Sequence, residues 1–160
     1  MDPKARQKAL RLLTNGIYVM TSRSGKRFGA ATVTWVSQAS FKPPLLMVAL
    51  RKDGNLIECV GESRAAVLHI LDKQQATLAQ TFFASAKESG GLLNGEPYTR
   101  GKNTSAPVLA NAHAYLECEV REIMERCGDH AIVILEVVNA EIRREITPLT
   151  VADSPWEYGG

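Results

Sequence analysis

Residues Ala30 to Lys52, AATVTWVSQASFKPPLLMVALRK, constrain this chain more than any other stretch, because two β-patterned runs flank a Pro-Pro break and finish on adjacent cations. In the first run Thr32, Thr34, Val36 and Gln38 fall on one side and Val33, Trp35, Ser37 and Ala39 on the other, as the two-residue period of a strand requires. Both sides mix apolar and hydrogen-bonding groups. A half-solvated strand alternates more cleanly and a fully buried one lacks hydroxyls, so the pattern predicts a strand lining a cleft for a flat ligand with polar edges. Phe41 to Pro44 interrupts the ladder, since neither proline has an N–H to donate. Leu45 to Leu50 resumes as an apolar run. Arg51-Lys52 then stands beside Asp53-Gly54-Asn55, where a helix start next to two cations would make an anion site. The same residues allow a plainer reading, a hairpin core that ends in two solvated cations.

A chain of 160 residues, 45% hydrophobic and 22% charged, is expected to form a single domain over residues 1–160 with a core of its own. No apolar run approaches the roughly 20 residues needed to cross a bilayer. Met1 to Gly16 reads as a charged helix rather than a signal segment, so the expectation is a cytoplasmic protein with no membrane partner. Cys59, Cys118 and Cys127 show neither CxxC nor Cys/His ligand spacing, which favours core thiols over a disulfide framework or a metal site. The net charge of +2 hides an uneven distribution. Residues 1–27 carry seven Lys or Arg against one Asp, and residues 113–160 carry ten acids against four bases. These halves can neutralise each other within the fold or across a dimer. Without interleaved aromatics they do not point to a nucleic-acid partner.

Along the chain, Asp2-Pro3 predicts the start of a helix with Ala5, Ala9, Leu12 and Leu13 on one face, closed by Asn15-Gly16. Ile17 to Ser22 reads as a strand, with a turn around Gly25 and a returning strand from Arg27. Leu56, Ile57 and Val60 predict a short helix closed by Gly61, and Ala65 to Leu71 a strand whose one polar member, His69, is expected to be structural. Asp72 and Gln75 resemble a capping box for a helix carrying Leu78, Ala79, Phe82, Phe83 and Ala86. Lys87 to Ala112 reads as a long loop, a type usually functional or mobile. Ala114 to Met124 and Ala131 to Arg144 are long strand patterns around a Gly128-Asp129 turn. The expectation is a mainly β fold with a few helices, a six-stranded antiparallel split β-barrel.

Laid out in this order, the residues resemble the flavin reductase-like family, whose fold is the FMN-binding split barrel. The resemblance runs over nearly the whole length. It rests on Gly16-Ile17-Tyr18-Val19-Met20-Thr21, on Gly29 leading into Thr32 to Phe41, on Pro43-Pro44, on Leu78-Ala79 with Phe82, on Leu116-Glu117-Cys118 and on Gly128-Asp129-His130. It implies that Thr32, Val33, Thr34, Ser37 and Gln38 lie at the edge of a flavin ring. It implies that Ala49, Leu50, Arg51, Lys52 and Asn55 surround the ribityl chain and phosphate, although relatives often place a hydroxyl residue where Asn55 stands. Trp35 is either a ring-facing residue or a core anchor, and Phe82 is a core residue that can touch the cofactor pocket.

The chemistry that the resemblance implies is hydride transfer from NADH or NADPH to FMN, with FAD as the alternative flavin. Such a reaction needs two stacked rings and no nucleophile. His130 resembles the histidine at the nicotinamide side and is the candidate catalytic residue; a turn histidine taken alone is more often structural. The implied partners are a second copy of the chain and a monooxygenase or other acceptor of reduced flavin or electrons. Trp35-Val36-Ser37-Gln38 with Phe41 also resembles members associated with electron-transfer and flavodiiron systems, which keeps open an FMN-binding carrier that does not itself turn over NAD(P)H.

Overall fold

In a computed structural model that describes all 160 residues, β-strands carry the architecture and three short helices decorate it. The order is α1 (Pro3–Leu10), β1 (Tyr18–Ser24), β2 (Arg27–Val33), β3 (Val36–Ser40), β4 (Leu45–Arg51), α2 (Asn55–Ser63) and β5 (Ala65–Ile70). Then follow α3 (Ala76–Thr81), β6 (Glu88–Ser89), β7 (Leu92–Leu93), β8 (Glu96–Arg100), β9 (Pro107–Leu109), β10 (Ala114–Met124) and β11 (His130–Ile142). No helix is long and apolar enough to cross a membrane.

Seven strands form one antiparallel sheet in the order β2-β1-β5-β10-β11-β4-β3. Its two edge strands, β2 and β3, are neighbours in sequence with only Thr34 and Trp35 between them. Three Cα steps limit the separation of Val33 and Val36 to about 11 Å. The sheet must therefore roll until its opposite edges nearly meet, and it does not close by pairing. This corrects the expected six-stranded barrel: the sheet has seven strands and an unpaired seam at Thr34-Trp35. The single strand expected over Thr32 to Ala39 is two strands for the same reason.

Rolling gives the sheet an inside and an outside. Met20, Val48, Leu50, Leu68, Val133 and Leu135 fill the inside together with Leu56, Ile57 and Val60 of α2. Each such side chain contributes roughly 1.5–3 kcal/mol by burial. Gly29 on β2 lets α2 come this close, because a Cβ there would lie 2.7 Å from the Cα of Leu56 and 3.0 Å from the carbonyl oxygen of Asn55. The outer face of β1 and β5 is covered in turn. Val19, one residue from Met20, packs with Leu71, Leu78, Phe82, Leu93 and Leu109.

The segment expected as a long loop is a second, four-stranded sheet, β6-β7-β8-β9. Buried polar groups pin it to the main sheet. The Glu117 carboxylate on β10 accepts from the N–H groups of Lys102, Asn103 and Thr104, from the Thr104 hydroxyl and from the Asn139 amide. Burial opposes its ionised form, yet these donors outweigh burial and hold the carboxyl below its usual range. His69 is fully buried, with Nδ1 2.9 Å from the Val19 carbonyl and Nε2 accepting from the Leu109 N–H at 3.0 Å. Burial lowers its pKa to about 4 and keeps it neutral, so the structural role expected for His69 holds.

Three helix expectations change. α1 begins at its Asp2 cap but ends at Leu10 and buries none of its residues, because its apolar face is largely alanine and its remainder is cationic. α2 runs past Gly61 to Ser63 and stops at Arg64 in the left-handed conformation. α3 is only six residues long. The Gln75 side-chain oxygen Oε1 does accept from the Asp72 N–H at 3.0 Å, as a capping box would, but within a turn, and Phe83 to Ala86 lie beyond the helix.

Candidate functional site at the seam

A cavity of about 360 Å3 opens where the rolled sheet fails to close. Four segments wall it: Ala30 to Trp35 from β2 and the seam, Ala49 to Arg51 from β4, Asp53 to Leu56 at the start of α2, and Phe82 to Ala86 after α3. His130 and Tyr158 complete the lining. Each wall has a local cause. β2 runs into the seam because the Thr32 N–H is bonded to the Phe82 carbonyl and its hydroxyl to the Ala79 carbonyl at 2.5 Å, rather than to another strand. β4 is carried toward it by the Ala49 N–H, bonded to the Trp35 carbonyl at 3.0 Å.

One end of the cavity suits an anion. α2 starts at Gly54 with no side-chain cap, so its first N–H groups are left to an outside acceptor, and the helix dipole points the same way. Arg51 stands beside it, exposed and bidentate on Asp53 at 2.8 and 3.0 Å, and each partner's charge stabilises the other's. Next to it, where His130 on β11 pairs with Arg51 on β4, the wall is aromatic. The Trp35 ring lies 4.7 Å from the His130 ring and 5.9 Å from that of Tyr158. His130 Nδ1 is 2.7 Å from Asp129 Oδ1, a bond that with the attraction of the histidine lowers the Asp129 pKa and leaves Nε2 as the ring nitrogen free for a ligand.

Of the residues singled out from sequence, the fold brings Thr32, Val33, Thr34, Trp35, Ala49, Leu50, Arg51, Asn55, Phe82 and His130 to this one cavity. Ser37 and Gln38 lie elsewhere, exposed on β3, where they pair with Met47 and Leu46 after the chain has crossed the seam. Lys52 also points away. Its ammonium is bonded to the carbonyls of Glu125 and Gly128, and its N–H to that of Asp129 at 3.2 Å, so it braces the turn that presents His130. Phe82 is core, fully buried, with its edge on the cavity; Trp35, 37% exposed, lines the cavity and is not a core anchor. Sequence reasoning missed Ala84, Ser85 and Tyr158. The signal for the last was the run Pro155-Trp156-Glu157-Tyr158, two aromatics in an otherwise polar tail. Cys118 is buried and its pKa is pushed up to about 12, so its thiol stays protonated.

A donor-rich end, a narrow wall of small side chains and peptide edges, and an aromatic mouth make a cleft suited to a flat ligand that carries an anionic group. The comparisons with known proteins point to flavoproteins. The chain is 34% identical over 138 residues to diflavin flavoprotein A 1 of Synechocystis sp., an alignment covering 86% of this chain and 24% of that protein. It thus spans about a quarter of the length of such relatives. The NADH:FAD oxidoreductase of Streptomyces globisporus C-1027 has the same fold, with a TM-score of 0.81 at 22% identity over 100% of this chain and 96% of that one. The styrene monooxygenase flavin reductase of Pseudomonas putida S12 superposes with a TM-score of 0.75 at 25% identity, over 91% of this chain and 90% of that one. The pattern of the flavin reductase like domain matches residues 10–157, and the chain belongs to that family.

Proposed function

We propose that this protein is an NAD(P)H-dependent flavin reductase that takes FMN in the seam cleft and passes reduced flavin or its electrons to a partner. The observation that carries the reading is the convergence of an uncapped helix start, Arg51, the Thr32 to Trp35 peptide edge and His130 on one cavity of flavin size. Bound there, flavin supplies a ring that accepts a hydride from the nicotinamide.

The chain's own residues do the rest. The first N–H groups of α2, Arg51 and the polar end of Asn55 hold the phosphate, and Ala49 and Leu50 leave room for the ribityl chain. Peptide groups from Thr32 to Trp35 line the polar ring edge, where fixed dipoles stabilise developing negative charge without reorganising. Phe82 and Val33 form an apolar floor that excludes water. His130 Nε2, its ring oriented by Asp129 and its turn braced by Lys52, positions the incoming ring so that the two reacting rings stack. FMN is favoured over FAD because the cleft offers one anion site at the start of one helix. Two copies of the chain associating would shield the open mouth, the cationic α1 of one facing the acidic last third of the other. A monooxygenase or another electron acceptor is the class of partner that consumes the product.

The test is spectroscopic. Protein reconstituted with FMN and mixed anaerobically with NADH or NADPH is expected to lose its visible flavin absorbance at a rate that saturates with nicotinamide. Firm FMN binding with no reduction by either nicotinamide would overturn the reductase reading.

A further inference from the structure

Filling the cleft leaves a second substrate outside it. At about 360 Å3 the cavity stands at the small end of the range for ligand pockets, roughly 300–1,000 Å3, and has room for one flavin-sized molecule. A second planar ring has to stack at the mouth. Trp35 and His130 border that mouth from the seam and from β11, and Tyr158 borders it from the far end of the sequence, its ring tilted 55° to that of Trp35.

The segment that carries Tyr158 is held on both sides. Before it, Trp156 packs edge-on against Phe83 with ring centroids 4.8 Å apart. Around it, Arg11 donates from Nη1 to the Glu157 carboxylate at 2.7 Å and from Nε to the Gly159 carbonyl at 3.0 Å. Arg11 follows a helix with no buried residue, so this grip rather than packing ties that end of the chain to the fold. Tyr158 also forms part of the wall of a second cavity, of about 800 Å3, so its ring divides two spaces and is packed tightly by neither.

We infer that Tyr158 is a positioning residue for the nicotinamide ring, the aromatic side wall against which that ring rests at the mouth of the filled cleft, and that Arg11 holds it in place. The inference rests on the flavin reductase reading above. Contact between two aromatic rings favours a bound geometry by a modest amount. The two bonds of Arg11 spare the tail the entropy of ordering itself each time a substrate arrives.

The experiment is an anaerobic stopped-flow titration of the FMN-reconstituted full chain with NADH, comparing wild type, Tyr158→Ala, Tyr158→Phe and Arg11→Ala. Tyr158→Ala is expected to raise the NADH concentration for half-saturation by roughly three- to tenfold, with a much smaller change in the limiting rate and in FMN affinity. Tyr158→Phe keeps the ring and should restore the wild-type value. Arg11→Ala should raise it by about two- to fivefold, as expected for loss of an exposed ion pair. An unchanged or lowered half-saturation in Tyr158→Ala would overturn the inference, the second outcome meaning that the ring obstructs the substrate. A Tyr158→Ala protein that loses FMN affinity would also overturn it, by making Tyr158 part of the flavin wall. Wild type that binds FMN and is not reduced at all fails the reductase reading itself, before any variant is compared.

Discussion

Two parts of this molecule are rich in hydrogen-bonding side chains, and they use them in opposite ways. Where the covering sheet from Glu88 to Leu109 meets the main sheet, polar groups are answered from within the chain, with His113 Nδ1, buried and unpartnered, as the exception. Glu117 receives its donors, His69 uses both ring nitrogens, and Arg143 Nη1 reaches the carbonyls of Leu109, Ala110 and Ala112 at 3.0, 3.1 and 3.2 Å. At the seam cleft, the start of α2 has no side-chain cap, Arg51 is exposed, and Trp35 and Tyr158 show aromatic faces to solvent. A satisfied polar group contributes to stability, and an unsatisfied one at a cavity is available to a ligand. Substitutions in the first region should cost folding free energy and leave ligand affinity alone, while those in the second should do the reverse.

The largest effect is expected at Glu117. Glu117→Ala removes a buried carboxylate from five donors and should destabilise the fold by on the order of 3–5 kcal/mol, read by urea denaturation. A loss under 1 kcal/mol would erase the distinction between the regions. His69 comes next. Its folded pKa of about 4 lies below the unfolded value near 6.5, so the unfolded state binds the extra proton as pH falls between them. Its contribution is fully present above pH 6.5 and declines toward pH 4 by up to about 3 kcal/mol. Urea midpoints across that window should show the decline in wild type and a smaller one in His69→Phe.

In the cleft the readout changes. His130→Ala should slow nicotinamide-dependent reduction of bound FMN by roughly ten- to a hundredfold while shifting stability by less than about 0.5 kcal/mol. An unaltered rate would return His130 to a structural role. The smallest effect is at Arg51, which is exposed and shared with Asp53. Arg51→Ala should weaken FMN by about 1 kcal/mol and riboflavin hardly at all, because only FMN carries the phosphate. Lys52→Ala sharpens the contrast, since its bonds brace the turn before His130 and its loss should appear in the reduction rate rather than in a preference between FMN and riboflavin.

The long strands were legible because each carries its own pattern: β10 is Ala114–Met124 as read, and β11 begins one residue before the reading. Most of the cleft was legible through the order of motifs around Thr32, Arg51 and His130. The break at Thr34-Trp35 was not, because local alternation continues straight through it and only the closure of a seven-stranded sheet decides where the chain crosses. That crossing is why Ser37 and Gln38 fall outside the cavity. Strands as short as Glu88–Ser89 and Leu92–Leu93 have no period to detect, so the covering sheet read as a loop. Lys52 looked equivalent to Arg51 because adjacent strand residues face opposite ways only once the strand's end is known.

A crystal structure of the protein grown with FMN decides whether the unclosed seam is the flavin site. Electron density for the ring is expected along Thr32 to Trp35, and for the phosphate at the start of α2 beside Arg51. Flavin found in the cavity between Leu12 and Trp156, or at any surface away from the seam, would contradict that placement.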